Sequence, residues 1–397
     1  MPPRPTTDYV YNSAEMLADP EAAFEQIRAH GDVVWCPSVK CWLVVSKEAA
    51  ISALKNDDLQ VYDLSAALHS IANRSGEVLD DLIRICDWIP FLSDGDRHQQ
   101  LRSLFARVLA DIRDDYLVAI ESASLRLLAN MQNKGGGDFA KDYGDRLHVE
   151  AIGALAGFNE TDVSWIARNS SSQGGVDFAA SLNEMKEANQ RVTGLLDLIG
   201  RQVSNASDSP FFDKIGRHLT AVGITNNHSN CVECLTALTL LGRDTLSGTL
   251  TLGLAYLLDH NNGVLVSNDW NKLTNMEDEI IRLSSTVQIV NRTATQPVKL
   301  GGIDIGTGET ILIFLPAANR DPANFPCPHA HSAENGDHIA FGASRHLCVG
   351  MPVSRNVINI SLQHLATLDY IESLPGRTLG ETKNTRKYDA LPIQMKK

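Results

Sequence analysis

Phe341-Gly342-Ala343-Ser344-Arg345-His346-Leu347-Cys348-Val349-Gly350 sets a single cysteine in a glycine-flanked loop, directly ahead of an apolar helical stretch. A thiolate is costly to bury unless a metal and backbone N–H groups offset its charge, and flexible glycines let the chain wrap closely enough to provide both. A cysteine alone carries little, because free cysteine is among the most buried residue types and usually inert. The loop is what makes Cys348 a candidate metal ligand. Cys327 is the nearest competitor, but it sits in Phe325-Pro326-Cys327-Pro328, a stiff segment without glycine.

Outward from this loop, most of the chain has helical periodicity, notably Asp114 to Met131, Glu150 to Ala156, Met185 to Gln202 and a long run from Asn230 to Asp259. About 30 helical residues span roughly 45 Å, and few folds need such an element. Glu233, Arg243, Asp244 and His260 interrupt that run and argue against a membrane span. Near the N-terminus, Asp19, Pro20 and Gly31 mark the cap, first turn and end of a helix. Val33-Val34-Trp35 and Cys41 to Val45 follow as a β-hairpin, and Ser46 caps a helix through Leu54. Strands are expected again at Val298 to Ile303 and Thr310 to Phe314, with Gly306-Thr307-Gly308 as the turn between them. The fold class is mainly α with small β-sheets.

No stretch of the 397 residues reads as a linker. The polar segments Asn133 to Gly137, Asn169 to Gly175 and Ser204 to Pro210 look like surface loops, so residues 1–397 are expected to form one domain. The N-terminus has no apolar signal region, and no run of about 18 apolar residues occurs, which predicts a cytoplasmic protein without a membrane anchor. Seven scattered cysteines do not form a disulfide framework. Cys231 and Cys234 make one C-x-x-C, but no second pair follows to complete a zinc site. A net charge of -13 argues against nucleic acid as a partner.

Phe341, Gly342, His346, Cys348 and Gly350 together resemble the haem-binding signature of the cytochrome P-450 family, and further stretches match in order. Glu279-Ile280-Ile281-Arg282 resembles the E-x-x-R motif, with Asn319-Arg320-Asp321-Pro322 between it and the cysteine. Gly242-Arg243-Asp244-Thr245 resembles the acid and alcohol pair of the long central helix, and His98 with Arg102 resembles the H-x-x-x-R propionate clamp. The resemblance implies a long central helix over a thiolate-ligated haem b, with Cys348 as the axial ligand to iron. His98, Arg102, Arg292 and His346 would then face the propionates, for which arginine is well suited. Asp244 and Thr245 would serve oxygen activation, the hydroxyl by hydrogen bonding and the acid by relaying protons. Glu279 and Arg282, at i and i+3, would be a structural pair holding the loop that leads to Cys348.

Three departures stand out. Ser344 occupies a usual glycine position, so its turn must accept a Cβ. Leu241 stands where a small residue usually precedes the helix glycine. Ala330 replaces a common arginine of the E-x-x-R network, with His329 or His331 as substitutes. Arg243 is expected to bridge to another helix, since peroxide-using relatives place their arginine in a different register.

The function implied is insertion of one atom of O2 into an apolar small molecule. Electrons would come from a separate ferredoxin or flavodoxin docking near Arg102, Arg107, Arg345 and Arg355. A peroxide-driven peroxygenase and a non-catalytic haem-thiolate sensor are the alternatives. Residues 61–91, 178–192, 238–241 and 290–294 would line the substrate pocket.

Overall fold

The computed structural model describes residues 5–7, 20–170, 180–206, 209–267, 276–328, 337–380 and 384–396. Asp19, Phe178, His329, Ala330, His331 and parts of the 169–175 and 204–210 segments lie outside the described residues. The chain gathers into two compact units: Met1–Tyr62, Asp278–Cys348 and Glu381–Arg386 in the first, and Asp63–Glu277, Val349–Gly380 and Lys387–Lys397 in the second.

The first unit is built on a five-stranded sheet in the order Val33–Cys36, Cys41–Val44, Thr310–Phe314, Ile289–Ala294 and Leu59–Gln60. The expected hairpin pairs Val33 with Val44 and Cys36 with Cys41. Cys41–Val44 then runs parallel to Thr310–Phe314, and both strands are apolar almost throughout because both of their faces are covered. Side chains alternate between two cores. Trp42, Val44, Ile311 and Ile313 face one that includes Ala50 and Leu54 of helix Lys47–Lys55. Leu43, Val45, Leu312 and Phe314 face the other, with Phe24 and Ile27 of helix Pro20–Arg28. Ser46 caps the Lys47–Lys55 helix, its hydroxyl accepting from the Ala49 N–H at 3.4 Å.

One strand expectation is corrected. Val298–Leu300 pairs with Ile303–Ile305 around Gly301 and Gly302, whose φ values of +55° and +81° suit a two-residue hairpin turn. The Gly306-Thr307-Gly308 turn leads on to Thr310–Phe314, which joins the large sheet by pairing with Ile289–Ala294.

The second unit is mostly helical. Its longest helices are Gly95–Asn133, of 39 residues, and His228–His260, of 33. The second spans roughly 50 Å at 1.5 Å per residue. Asp145–Ala156, Leu182–Asn205, Pro210–Ala221 and Met351–Leu365 pack on it, so it is buried nearly all round over its middle turns. The run expected from Asp114 is only the latter part of a helix that begins after Asp94, because Leu101, Leu104, Phe105 and Val108 continue its buried stripe. The loop expected at 133–137 contains strand Gly136–Asp138, paired with Pro392–Lys396. A Cβ on Gly136 would lie 2.2 Å from the Ile393 carbonyl oxygen, so only glycine admits this strand approach.

Candidate functional site

Backbone hydrogen bonds and two side-chain anchors shape the cysteine loop. Gly342, at φ +73°, donates its N–H to Ile339, and the Cys348 N–H returns to the Phe341 carbonyl at 2.9 Å. Between them, Ser344–His346 forms one 3₁₀ turn closed by Leu347 N–H to Ser344. Ser344 takes φ +60°, the left-handed conformation that glycine adopts without cost. Arg345 ties the turn to the Lys47–Lys55 helix end, reaching Asp57 at 2.7 Å and the carbonyls of Asn56 and Leu59. Cys348 is exposed.

The opposite anchor begins at Arg282, a guanidinium with no exposed side-chain surface. It makes a two-pronged ion pair with Glu279, at 2.7 and 2.9 Å, and donates to the carbonyls of Asn319, Cys327 and Pro328. The Asn319 carboxamide oxygen accepts from the Ile339 N–H at 2.7 Å, and its nitrogen donates to Ser285. Arg282 therefore reaches the cysteine loop through Asn319, and Cys327 contributes its carbonyl to the same network. Arg292, 1 % exposed, lies on strand Ile289–Ala294 in the same unit and donates to the Asn291 carbonyl at 2.6 Å.

In the second unit, Asp244 and Thr245 lie midway along His228–His260, which stays helical through them. The Thr245 hydroxyl donates to the Leu241 carbonyl at 3.1 Å. Asp244 is 2 % exposed and paired with the Arg243 guanidinium. Arg243 also meets Asp145 at 3.0 Å and the Ala167 carbonyl at 2.7 Å, so the bridge expected to a second helix is made with Asp145. Burial works against the Arg243 charge, but Asp244 and Asp145 outweigh it and raise the guanidinium's pKa. Ser247, at 2.7 Å, and Lys387, at 2.8 Å, also bind Asp145.

Gly242 serves packing. A Cβ there would fall 2.5 to 2.9 Å from three ring atoms of His148, on helix Asp145–Ala156. The His148 Nε2–H donates to the Leu238 carbonyl at 3.2 Å, while Nδ1 accepts from the Tyr116 hydroxyl at 2.7 Å. Burial, aided by nearby Arg243, pushes the His148 pKa down to about 4 and keeps the ring neutral. His98, 4 % exposed, donates Nδ1–H to the Pro90 carbonyl at 2.8 Å, with Arg102 one turn further along Gly95–Asn133.

Phe341, Gly342, His346, Cys348, Arg292, Glu279 and Arg282 thus belong to the first unit, and His98, Arg102, Asp244, Thr245 and Gly350 to the second. Gly350 directly precedes helix Met351–Leu365. Sequence reading missed Tyr116, Asp145 and His148. The available signal was a histidine and an acid flanking the apolar turns of a helical stretch.

The residues present fit a haem: one exposed thiol on a backbone-closed loop is a soft donor for iron, and Arg292 and His346 of the same unit suit carboxylates. Residues 271–366 match the cytochrome P-450 family model. The chain is 25% identical over 423 residues to a putative cytochrome P-450 140 of Mycobacterium tuberculosis, covering 96% of this chain and 92% of that one. It is 27% identical over 281 residues to 6-deoxyerythronolide B hydroxylase of Saccharopolyspora erythraea, covering 69% and 68%. Among solved structures, CalO2 superposes with a TM-score of 0.83 at 17% identity, over 98% of this chain and 99% of that one. An epothilone B-bound cytochrome P-450 gives 0.81 at 17%, over 98% and 100%. By the family model over residues 271–366 and by these curated relatives, the chain is similar to the cytochrome P-450 family.

Proposed function

We propose that this protein inserts one atom of O2 into an apolar small molecule, using haem b and electrons from a separate ferredoxin or flavodoxin, with residues 1–397 acting as one haem domain. The observation that carries the reading is the Cys348 loop, closed by its own backbone and anchored by Arg345 and, through Asn319, by Arg282. Bound haem would supply iron for dioxygen activation, with Cys348 as its thiolate ligand. Arg292, His346, His98 and Arg102 would hold the propionates. Thr245 offers a hydroxyl at the acid–alcohol turn, and Asp244, held by Arg243, offers a carboxylate for proton transfer.

Relatives bearing the names 6-deoxyerythronolide B hydroxylase and steroid C26-monooxygenase support a polycyclic or macrocyclic apolar substrate over a small polar one. Arg345 is engaged by Asp57 and two carbonyls, so the docking proposal narrows to Arg102, Arg107 and Arg355, carried by two helices that pack together. Reduction by an acidic ferredoxin should then slow as ionic strength rises.

The test is the visible spectrum of the reduced protein with carbon monoxide. A thiolate-ligated haem gives the long-wavelength band, which Cys348→Ala should abolish. A band at the shorter position, or no haem absorbance, would defeat the reading. Thr245→Ala should uncouple electron use from product in a monooxygenase and leave a sensor unaffected.

A further inference from the structure

His148 packs against the central helix at a glycine, Gly242. Its ring lies where any Cβ at residue 242 would be, and its Nε2–H reaches the Leu238 carbonyl. In an α-helix that carbonyl also accepts the Gly242 N–H. A buried side chain is therefore competing for the carbonyl whose backbone partner opens the Gly242-Arg243-Asp244-Thr245 segment. The carbonyl can only accept, so Nε2 carries the hydrogen, and Nδ1 accepts from the Tyr116 hydroxyl of the Gly95–Asn133 helix, which holds the ring in place. Both rings are buried, so neither bond is shared with solvent.

We propose that His148, oriented by Tyr116, is a positioning residue that loosens the central helix at Gly242 and so sets the backbone of the acid–alcohol pair. The catalytic consequence rests on the monooxygenase reading above. The backbone effect does not.

The experiment is amide hydrogen exchange resolved at residues 238–249 in the haem-loaded protein, for wild type, the double variant Tyr116→Phe/His148→Phe, and His148→Gln. The double variant keeps two buried rings and leaves no orphaned hydroxyl. With the competing donor gone, exchange at the Gly242 amide should slow about fivefold, the equivalent of one ordinary hydrogen bond. His148→Gln, whose amide can donate to the same carbonyl, should return it toward wild type. Unchanged exchange at that amide, or faster exchange along the whole helix, would overturn the proposal and leave His148 as packing alone. The carbon monoxide spectrum of the same samples separates the two claims. If wild type lacks the long-wavelength band, the monooxygenase reading fails while the exchange result still decides the role of His148.

Discussion

Arg282 and Arg243 are both buried arginines on helices, each with a carboxylate within three positions, yet they organise their surroundings in opposite ways. Among the described residues, Arg282 pairs with Glu279 and donates to three backbone carbonyls of a loop. Arg243 meets two acids and one carbonyl, and the cluster extends to Ser247 and Lys387. Carbonyls have no alternative protonation state, so the first arrangement fixes chain geometry and little else. Carboxylates can gain protons, so the second stores charge beside the residues proposed to move protons. Local charge pairs look alike in sequence, and only the identity of the remaining acceptors separates scaffold from chemistry.

The sharpest way to break this comparison is Arg282→Ala. It strands Glu279 and several carbonyls together, and the cost of breaking a buried pair is about 3–5 kcal/mol. We expect a large drop in the urea midpoint and poor haem retention. The neutral His148 beside Arg243 provides the next effect. Its unfolded-state pKa is near 6.5 and its folded value about 4, so below pH 6.5 the unfolded chain binds more protons. Stability should fall as pH drops from 6.5 to 4 and level off below, a loss of about 3 kcal/mol at 1.4 per unit. Tyr116→Phe/His148→Phe should lose that slope in pH-dependent unfolding.

Gly242→Ala should cost about 1–3 kcal/mol by overpacking against His148. The same change in a His148→Ala background should be nearly neutral or stabilising, a coupling that a double-mutant thermal cycle reads directly. The smallest effect is expected for the surface partner of the cysteine loop. Asp57→Ala removes the exposed half of the Arg345 pair and should change stability by about 1 kcal/mol or less. The two carbonyl bonds of Arg345 remain.

Legibility in the sequence followed contact range. The Cys348 loop, the Glu279–Arg282 pair and the Ser46 cap are local patterns, each written within ten residues, and the structure forms all three locally. The hairpin at Gly301-Gly302 was also written locally, but the adjacent Gly306-Thr307-Gly308 offered a competing turn, and only pairing across the sheet separates them. Tyr116, His148 and Asp145 could not be read from spacing. Their partners lie 32 residues away in one bond and 90 in another, and a histidine inside a helical stretch looks the same whether or not a glycine faces it. In sequence Gly242 is only a member of the acid–alcohol motif, whereas the structure gives it a neighbour to admit.

Ser344 carries a wider implication. A left-handed backbone angle at a non-glycine residue means that the cysteine loop keeps its path after losing the residue best suited to it. A search that demanded glycine at that position would pass over this chain, although the loop traces the turn glycine would trace. What relatives with diverged letters inherit at such a site is a set of torsion angles, and the amino acids are one spelling of it.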